Sequence, residues 1–154
     1  TIGANGIKIY TALDHATIWS NDLIFNYFIH DNWTWKGQFL YNIGRDNKNE
    51  GLPFMSPFNY LTSITFNQLK WDAEIILKGN TAQTEYNTFY GEDRTPDYAV
   101  LNFASSYSLL IDKSRWNVKA GVDNVLDTYY STFSDWNNIP RKGRNFFLHI
   151  GFAF

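Results

Sequence analysis

Hydrophobic residues recur at every second position along almost the whole chain. The last nine residues show the pattern most clearly: Phe146, Leu148, Ile150, Phe152 and Phe154 alternate with Phe147, His149, Gly151 and Ala153. A period of two puts one set on one face of a β-strand and the other set on the opposite face. The same alternation runs through Ala16–His30, where Trp19, Leu23, Phe25, Tyr27 and Ile29 oppose Ser20, Asp22, Ile24, Asn26 and Phe28. Over residues 33–45, Trp33, Trp35, Phe39, Tyr41 and Ile43 oppose Thr34, Lys36, Gln38 and Asn42. Further strands are predicted over about Asn59–Phe66, 69–78, 98–109 and 116–122. In the second of these, Leu69, Trp71, Ala73, Ile75 and Leu77 face away from Lys70, Asp72, Glu74 and Lys78. No segment carries a helical period, so the prediction is an all-β chain of about seven strands, the last running to Phe154.

The connections alternate in length. Short turns are predicted at Asp31-Asn32, at Asn67-Gln68 and around 111–115, and long polar segments lie near residues 50, 88 and 133. Short turns at one end of a sheet and long loops at the other are the habit of a transmembrane antiparallel β-barrel. Trp33, Trp35, Trp71 and Trp116 sit near strand ends, where an interfacial aromatic girdle would lie. Asp22, Lys36, Lys70, Asp72, Glu74, Lys78 and Lys119 share the other face. So many charges are costly in a small dry core and suit a wet lumen. The competing reading is a soluble antiparallel sheet with one solvated face.

Composition favours the barrel. Aromatic residues make up 19% of 154 residues, yet mean hydropathy is negative. No run approaches the ~18 apolar residues of a membrane helix. The net charge of -2 and the lack of a basic block argue against nucleic acid as a partner. Cysteine is absent, which excludes a disulfide framework and a thiolate metal site. No secretion signal is visible at the start. An outer-membrane protein needs one, so the expectation is that it was removed or that Thr1 is not the natural start.

Two segments carry a family resemblance. "GVDNVLDTYY" (Gly121 to Tyr130) and "IPRKGRNFFLHIGFAF" (Ile139 to Phe154) resemble the C-terminal end of TonB-dependent outer-membrane receptors. Val122, Asp123, Asn124, Val125, Asp127 and Tyr130 match the segment leaving the family's penultimate strand; Gly143, Arg144 and Phe146 match the one entering its last strand. Lys142 stands where proline is common. Upstream, "ATIWSNDLIFNYFI", "GLPFMSPFN" and "TPDYAVLNFASSY" resemble further family segments, with Ser20 and Asp22 replacing the usual glycine and glutamate.

The resemblance implies that residues 1–154 are one part of one domain, about seven C-terminal strands of a barrel of twenty-two, with plug and earlier strands upstream. It implies import rather than catalysis: uptake of a scarce nutrient, foremost a ferric siderophore or other metal chelate, with no cofactor. The implied partners are outer-membrane lipid of a Gram-negative cell, the ligand, the TonB complex through the upstream region, the barrel-assembly machinery and a surface lipoprotein. Phe146, Leu148, Ile150, Phe152 and Phe154 would be the assembly signal. Two alternatives stay open. One is a self-contained small outer-membrane barrel with an adhesive or structural role, for which Gly6–Leu13 would supply an eighth strand. The other is a soluble lipocalin-like binding module.

Candidate chemistry is confined to loops. Tyr86, Phe89, Tyr90, Arg94 and Trp136, with Tyr129 and Tyr130, have the residue types favoured in binding surfaces. Physical roles for the motif residues are structural. Gly143 would ease the turn into the last strand. Arg144 would pair with Asp123 or Asp127, and Asn124 would hydrogen-bond loop backbone. His15, His30 and His149 share no ligand spacing, so no metal site is assigned. Met55 reads as packing, and Glu92, Asp93 and Asp97 as a solvated acidic group rather than a calcium site. No serine is placed near His149 for nucleophilic catalysis.

Overall fold

The computed structural model describes Ala12, residues 14–88 and residues 91–154; the segment considered for an eighth strand lies outside these apart from Ala12. Seven strands form one antiparallel sheet in simple meander order: β1 Ala16–His30, β2 Trp33–Asp46, β3 Asn59–Gln68, β4 Trp71–Asn80, β5 Tyr98–Ile111, β6 Ser114–Asp123 and β7 Asn145–Ala153. All are at least as long as the ~9 residues a tilted strand needs to cross a bilayer. Two expectations shift. The β3–β4 turn falls at Leu69-Lys70, not Asn67-Gln68, so neither Leu69 nor Lys70 belongs to a sheet face. Pairing explains it: Asn67 and Gln68 oppose Asp72 and Trp71, and Leu69 takes the left-handed backbone (φ 48°) that closes the two-residue turn. At the C-terminus the strand stops at Ala153, leaving Phe154 beyond it against the Phe152 ring.

Register fixes the two faces. Tyr27, Trp35, Ile64, Ile75, Phe103, Val122 and Phe146 stand in one row across all seven strands. On this outward face, the rows on either side hold aromatic, aliphatic and small residues, and the sole charge within the strands is Arg45, at the long-loop end of β2. The opposite face carries Asp22, Lys36, Asp46, Asp72, Glu74, Lys78, Arg115, Lys119 and Asp123. Val100, 1% exposed, is the one buried hydrophobic residue among those described. The large apolar side chains, including Leu23, Phe103, Phe146, Leu148, Ile150 and Phe152, are exposed. A layered soluble domain buries such a face against a second layer. Here the apolar surface is the outside.

Two tryptophan indoles on the outward face are paired with hydroxyls of the same face. Trp35 Nε1 donates to Thr62 Oγ1 at 2.7 Å, and that hydroxyl donates to the Lys36 carbonyl at 3.0 Å. Trp71 Nε1 donates to Ser105 Oγ at 2.7 Å, and Ser105 donates to the Asp72 carbonyl at 3.0 Å. Hydroxyl and indole thus satisfy one another without water. On the opposite face polar side chains pair across strands over a range of distances, from Ser20 to Asn42 at 2.5 Å to Gln38 to Asp22 at 3.4 Å.

Glycine and aromatic side chains interlock across strands. Phe25 stands opposite Gly37, and a Cβ on Gly37 would lie 2.3 Å from Phe25 Cε1. The ring cannot swing aside freely, because it packs edge-on to Trp35 with centroids 4.8 Å apart. Phe147 covers Gly121 in the same way on the opposite face. Such pairs shield the glycine backbone and pin register. Gly37→Ala is therefore expected to destabilise the sheet by about 1–3 kcal/mol through overpacking. In a Phe25→Ala background most of that penalty should vanish, as read by a double-mutant cycle of denaturant unfolding in micelles. Equal penalties in both backgrounds would show that the ring does not set the constraint.

Candidate functional site

Antiparallel order puts the three long connections, 47–58, 81–97 and 124–144, at one end of the sheet. Buried polar side chains gather there: Gln83, Glu92, Thr95, Asn124 and Ser131 are all nearly inaccessible. Glu92 joins the first loop to the second. Its Oε1 accepts the Phe54 N–H at 2.6 Å and its Oε2 accepts the Asn87 N–H at 2.7 Å. Arg45 bridges Glu85 at 2.7 Å beside it. Asn138 joins the second loop to the third. Its Oδ1 accepts from Thr95 Oγ1 and Ser131 Oγ, and its Nδ2 donates to the Arg94 carbonyl at 3.1 Å. The result is one connected rim.

The third loop has two internal braces. Asn124 is 2% exposed and holds a left-handed backbone (φ 51°) that asparagine tolerates better than most residues. Its Nδ2 donates to the Thr128 carbonyl at 2.8 Å, its Oδ1 accepts the Thr128 N–H at 2.8 Å, and its own N–H reaches Asn102 Oδ1 at 2.8 Å. Asp127 Oδ1 accepts the Arg144 backbone N–H at 2.7 Å, so those two residues meet through the main chain and not through the guanidinium. The same oxygen occupies the space of a Gly143 Cβ, at 2.7 Å. Glycine is needed there for that close approach, and its backbone is not left-handed. Asp123 ends β6 opposite Asn145. Tyr130 packs against Tyr98 with ring centroids 4.6 Å apart and the planes tilted by 36°.

The second brace is the Arg141–Asp135 pair. Arg141 Nε donates to Asp135 Oδ2 at 2.7 Å, and Thr132 donates to the same oxygen through its N–H and its hydroxyl. Desolvation pushes the Asp135 carboxyl up, but the hydrogen bonds from Arg141 and Thr132 outweigh it and hold the group below its ordinary value of 3.8.

Among the ligand candidates, Tyr86 and Arg94 are exposed on the second loop and Tyr129 on the third. Phe89, Tyr90 and the Trp136 side chain lie outside the described residues. Between the first two loops is a cleft of about 150 Å³ lined by Tyr41, Met55, Phe58, Gln83 and Glu85 among others. Met55 packs over Gly44 there, and Glu92 is a strut with its oxygens on backbone amides. Among the described residues no cluster of three His, Cys, Asp or Glu side chains could hold a metal ion. Sequence reasoning missed Gln83, Glu92 and Asn138 as rim members. The Asn137-Asn138 pair, both left-handed, was a readable turn signal.

Two outcomes are expected. Asn124→Ala leaves the Thr128 N–H and carbonyl without their side-chain partners and loses the contact to the Lys142 carbonyl, a cost of about 3 kcal/mol spread over the loop. Protease cleavage within 125–144 should accelerate while the strands stay protected; cleavage at the wild-type rate would remove Asn124 as the brace. For Asp135, a folded value below the unfolded one means that its contribution is present above about pH 4. It is lost as pH falls through the folded value. Hydrogen exchange of residues 130–141, corrected for intrinsic rate, should rise in that acid range, and Asp135→Asn should abolish the acid dependence.

No family model matches the chain, and no curated protein sequence matches it. Solved structures do. One is the structure titled "Copper transporter OprC", at 20% sequence identity and a TM-score of 0.76, covering 88% of this chain and 23% of that one. The chain thus spans about a quarter of that protein's length and has the fold of a piece of its barrel wall.

Proposed function

We propose that this chain is the C-terminal part of the barrel of a TonB-dependent outer-membrane receptor. It imports a scarce nutrient, foremost a ferric siderophore or other metal chelate. The observation that carries the reading is the outward face. It spans seven strands, holds one charge at its edge, and pairs its central hydroxyls with tryptophan indoles. Charged side chains are expensive on a lipid face and cheap on a lumen face, which is how they are distributed here. The motif residues add support, since Asn124, Asp127, Gly143 and Arg144 form one braced unit at the entry to β7. The fold likeness to a structure titled as a transporter agrees with import rather than catalysis.

β1 and β7 each have one neighbour among the described strands, and open edges are not tolerated in hydrocarbon. Further strands of a longer polypeptide would close the barrel on this reading. A plug inside it would contact the charged face and connect to the TonB complex. Barrel-assembly machinery would engage β7 through its alternating apolar residues, and a surface lipoprotein would meet the loop rim.

The test uses the intact protein in its own membrane. Its mass should be several times 18.0 kDa. Deleting it should reduce energy-dependent uptake of one labelled metal chelate from a panel, with restoration by the wild-type gene. Leu148→Arg, mid-strand on the lipid face, should abolish the heat-modifiable folded band and uptake, since arginine there costs about 2–4 kcal/mol. Lys119→Gln, one strand away on the other face, should keep the band. A native mass near 18.0 kDa, or a folded Leu148→Arg protein in the membrane, would overturn the reading.

A further inference from the structure

The outward face is not evenly bulky. Ala73, Ser105 and Ala120 stand side by side in register on β4, β5 and β6. The row on their short-turn side holds Trp71, Tyr107 and Val118, and the row on the other side holds Ile75, Phe103 and Val122. Small side chains between two bulky rows leave a hollow of about 330 Å³, lined by Trp71, Ser105, Tyr107, Val118 and Ala120 among others. The Ser105 hydroxyl adds no open polarity, because it accepts from the Trp71 indole and donates to the Asp72 carbonyl. The same bond ties the Trp71 ring down, so one side of the hollow is preformed, which lowers the ordering cost of filling it.

The β3–β4 turn, Leu69-Lys70, adjoins Trp71. The Ser108 N–H donates to the Lys70 carbonyl at 2.7 Å, which fixes the turn against β5 beside the Trp71–Tyr107 pair. Leu69 is fully exposed and left-handed (φ 48°). Asparagine or glycine would adopt that backbone at less cost, so turn geometry does not ask for leucine; an exposed leucine suits a turn that dips into a lipid interface. Lys70 is exposed and stands outside the ion pairs found among the described residues. Of the three short turns, Asp31-Asn32, Leu69-Lys70 and Asp112-Lys113, this one alone has a cation and no acid. An apolar hollow in hydrocarbon with a lone cation at its interfacial end complements a long apolar chain that carries a negative group. The short-turn end of an outer-membrane barrel faces the periplasm.

We propose that the hollow between Trp71, Tyr107 and Ala120 binds one acyl chain of an anionic phospholipid of the periplasmic leaflet, with Lys70 on the lipid phosphate. The site rests on the membrane reading above.

The full-length receptor is delipidated in detergent and titrated with phosphatidylglycerol, with bound lipid counted by native mass spectrometry. Lys70→Gln should weaken binding about fivefold, the worth of one interfacial cation. Ala120→Phe fills the hollow and should weaken it about tenfold, as if roughly two methylene groups were shut out. Lys113→Gln, on the neighbouring turn, should leave it unchanged. Unchanged affinity in Lys70→Gln or in Ala120→Phe would overturn the site. An equal loss in Lys113→Gln would reduce the attraction to a diffuse one and overturn it too. Equal binding of uncharged diacylglycerol would overturn the phosphate contact, and displacement by millimolar glycerol phosphate would overturn the acyl-chain contact. Heat-modifiable mobility is read in parallel. A normal folded band with unchanged lipid binding in the variants sinks this site and leaves the barrel reading intact, whereas absence of the band in the wild type sinks the barrel reading.

Discussion

Everything in this sheet depends on one constraint: a surface turned toward hydrocarbon has no water to complete a hydrogen bond. Between the strands the ladder meets that demand, and on the outward face the side chains must meet it themselves. Thr62 and Ser105 do so by donating to backbone carbonyls and accepting from Trp35 and Trp71. Each indole is thereby tied to the neighbouring strand near the short-turn end of the sheet. A buried donor or acceptor without a partner costs about 1–3 kcal/mol, so these pairs remove a penalty more than they add attraction. The aromatic chain of Trp33, Phe66 and Trp71, with centroids 4.8 and 5.2 Å apart, extends the same girdle over neighbouring strands.

The rim obeys the opposite rule. It stands beyond the strands, yet it holds nearly all the buried polar side chains of the described protein. Loops of this length would be mobile if only their ends were fixed. Here single residues tie loops separated widely in sequence: Glu92 reaches Phe54, and Asn138 reaches Arg94 and Thr95. Their side chains replace the backbone ladder where strands give way to irregular chain. A rim stiffened in this way presents its exposed residues, Tyr86, Arg94 and Tyr129, from fixed positions.

Much of the fold was legible because its period is two and its faces differ so sharply. β1 and β2 could be bounded within a residue from alternation alone, and the outward set of β7 was readable from its five apolar positions. The β3–β4 turn was not. Asn67-Gln68 has ordinary turn residues, whereas Leu69 adopts a positive φ that its side chain disfavours. Strand pairing overrode local preference, and no local signal announces that. The motif residues were visible as a group, but not the means of contact between Asp127 and Arg144, since a carboxylate and an arginine suggest a side-chain pair. Glu92 was hidden for a related reason. In sequence it belongs to an acidic cluster, and only three-dimensional proximity to the Phe54 and Asn87 amides makes it a strut.

The two faces and the rim divide the work. On the inward face the five carboxylates Asp22, Asp46, Asp72, Glu74 and Asp123 are interspersed with the four cations Lys36, Lys78, Arg115 and Lys119. Opposite charges interspersed across a wide wall cancel at distances beyond about 10 Å, the screening length in moderate salt. Such a wall is wet and rich in hydrogen-bonding groups, with only a small net charge. One row of this face holds Asn67, Asp72, Ser106, Lys119 and His149 across five strands. Beyond the strands the rim is the other polar surface of this part of the wall, with Tyr86, Arg94 and Tyr129 exposed on it. The lipid face, with no polar choice left to make, sets only where that rim stands relative to the bilayer.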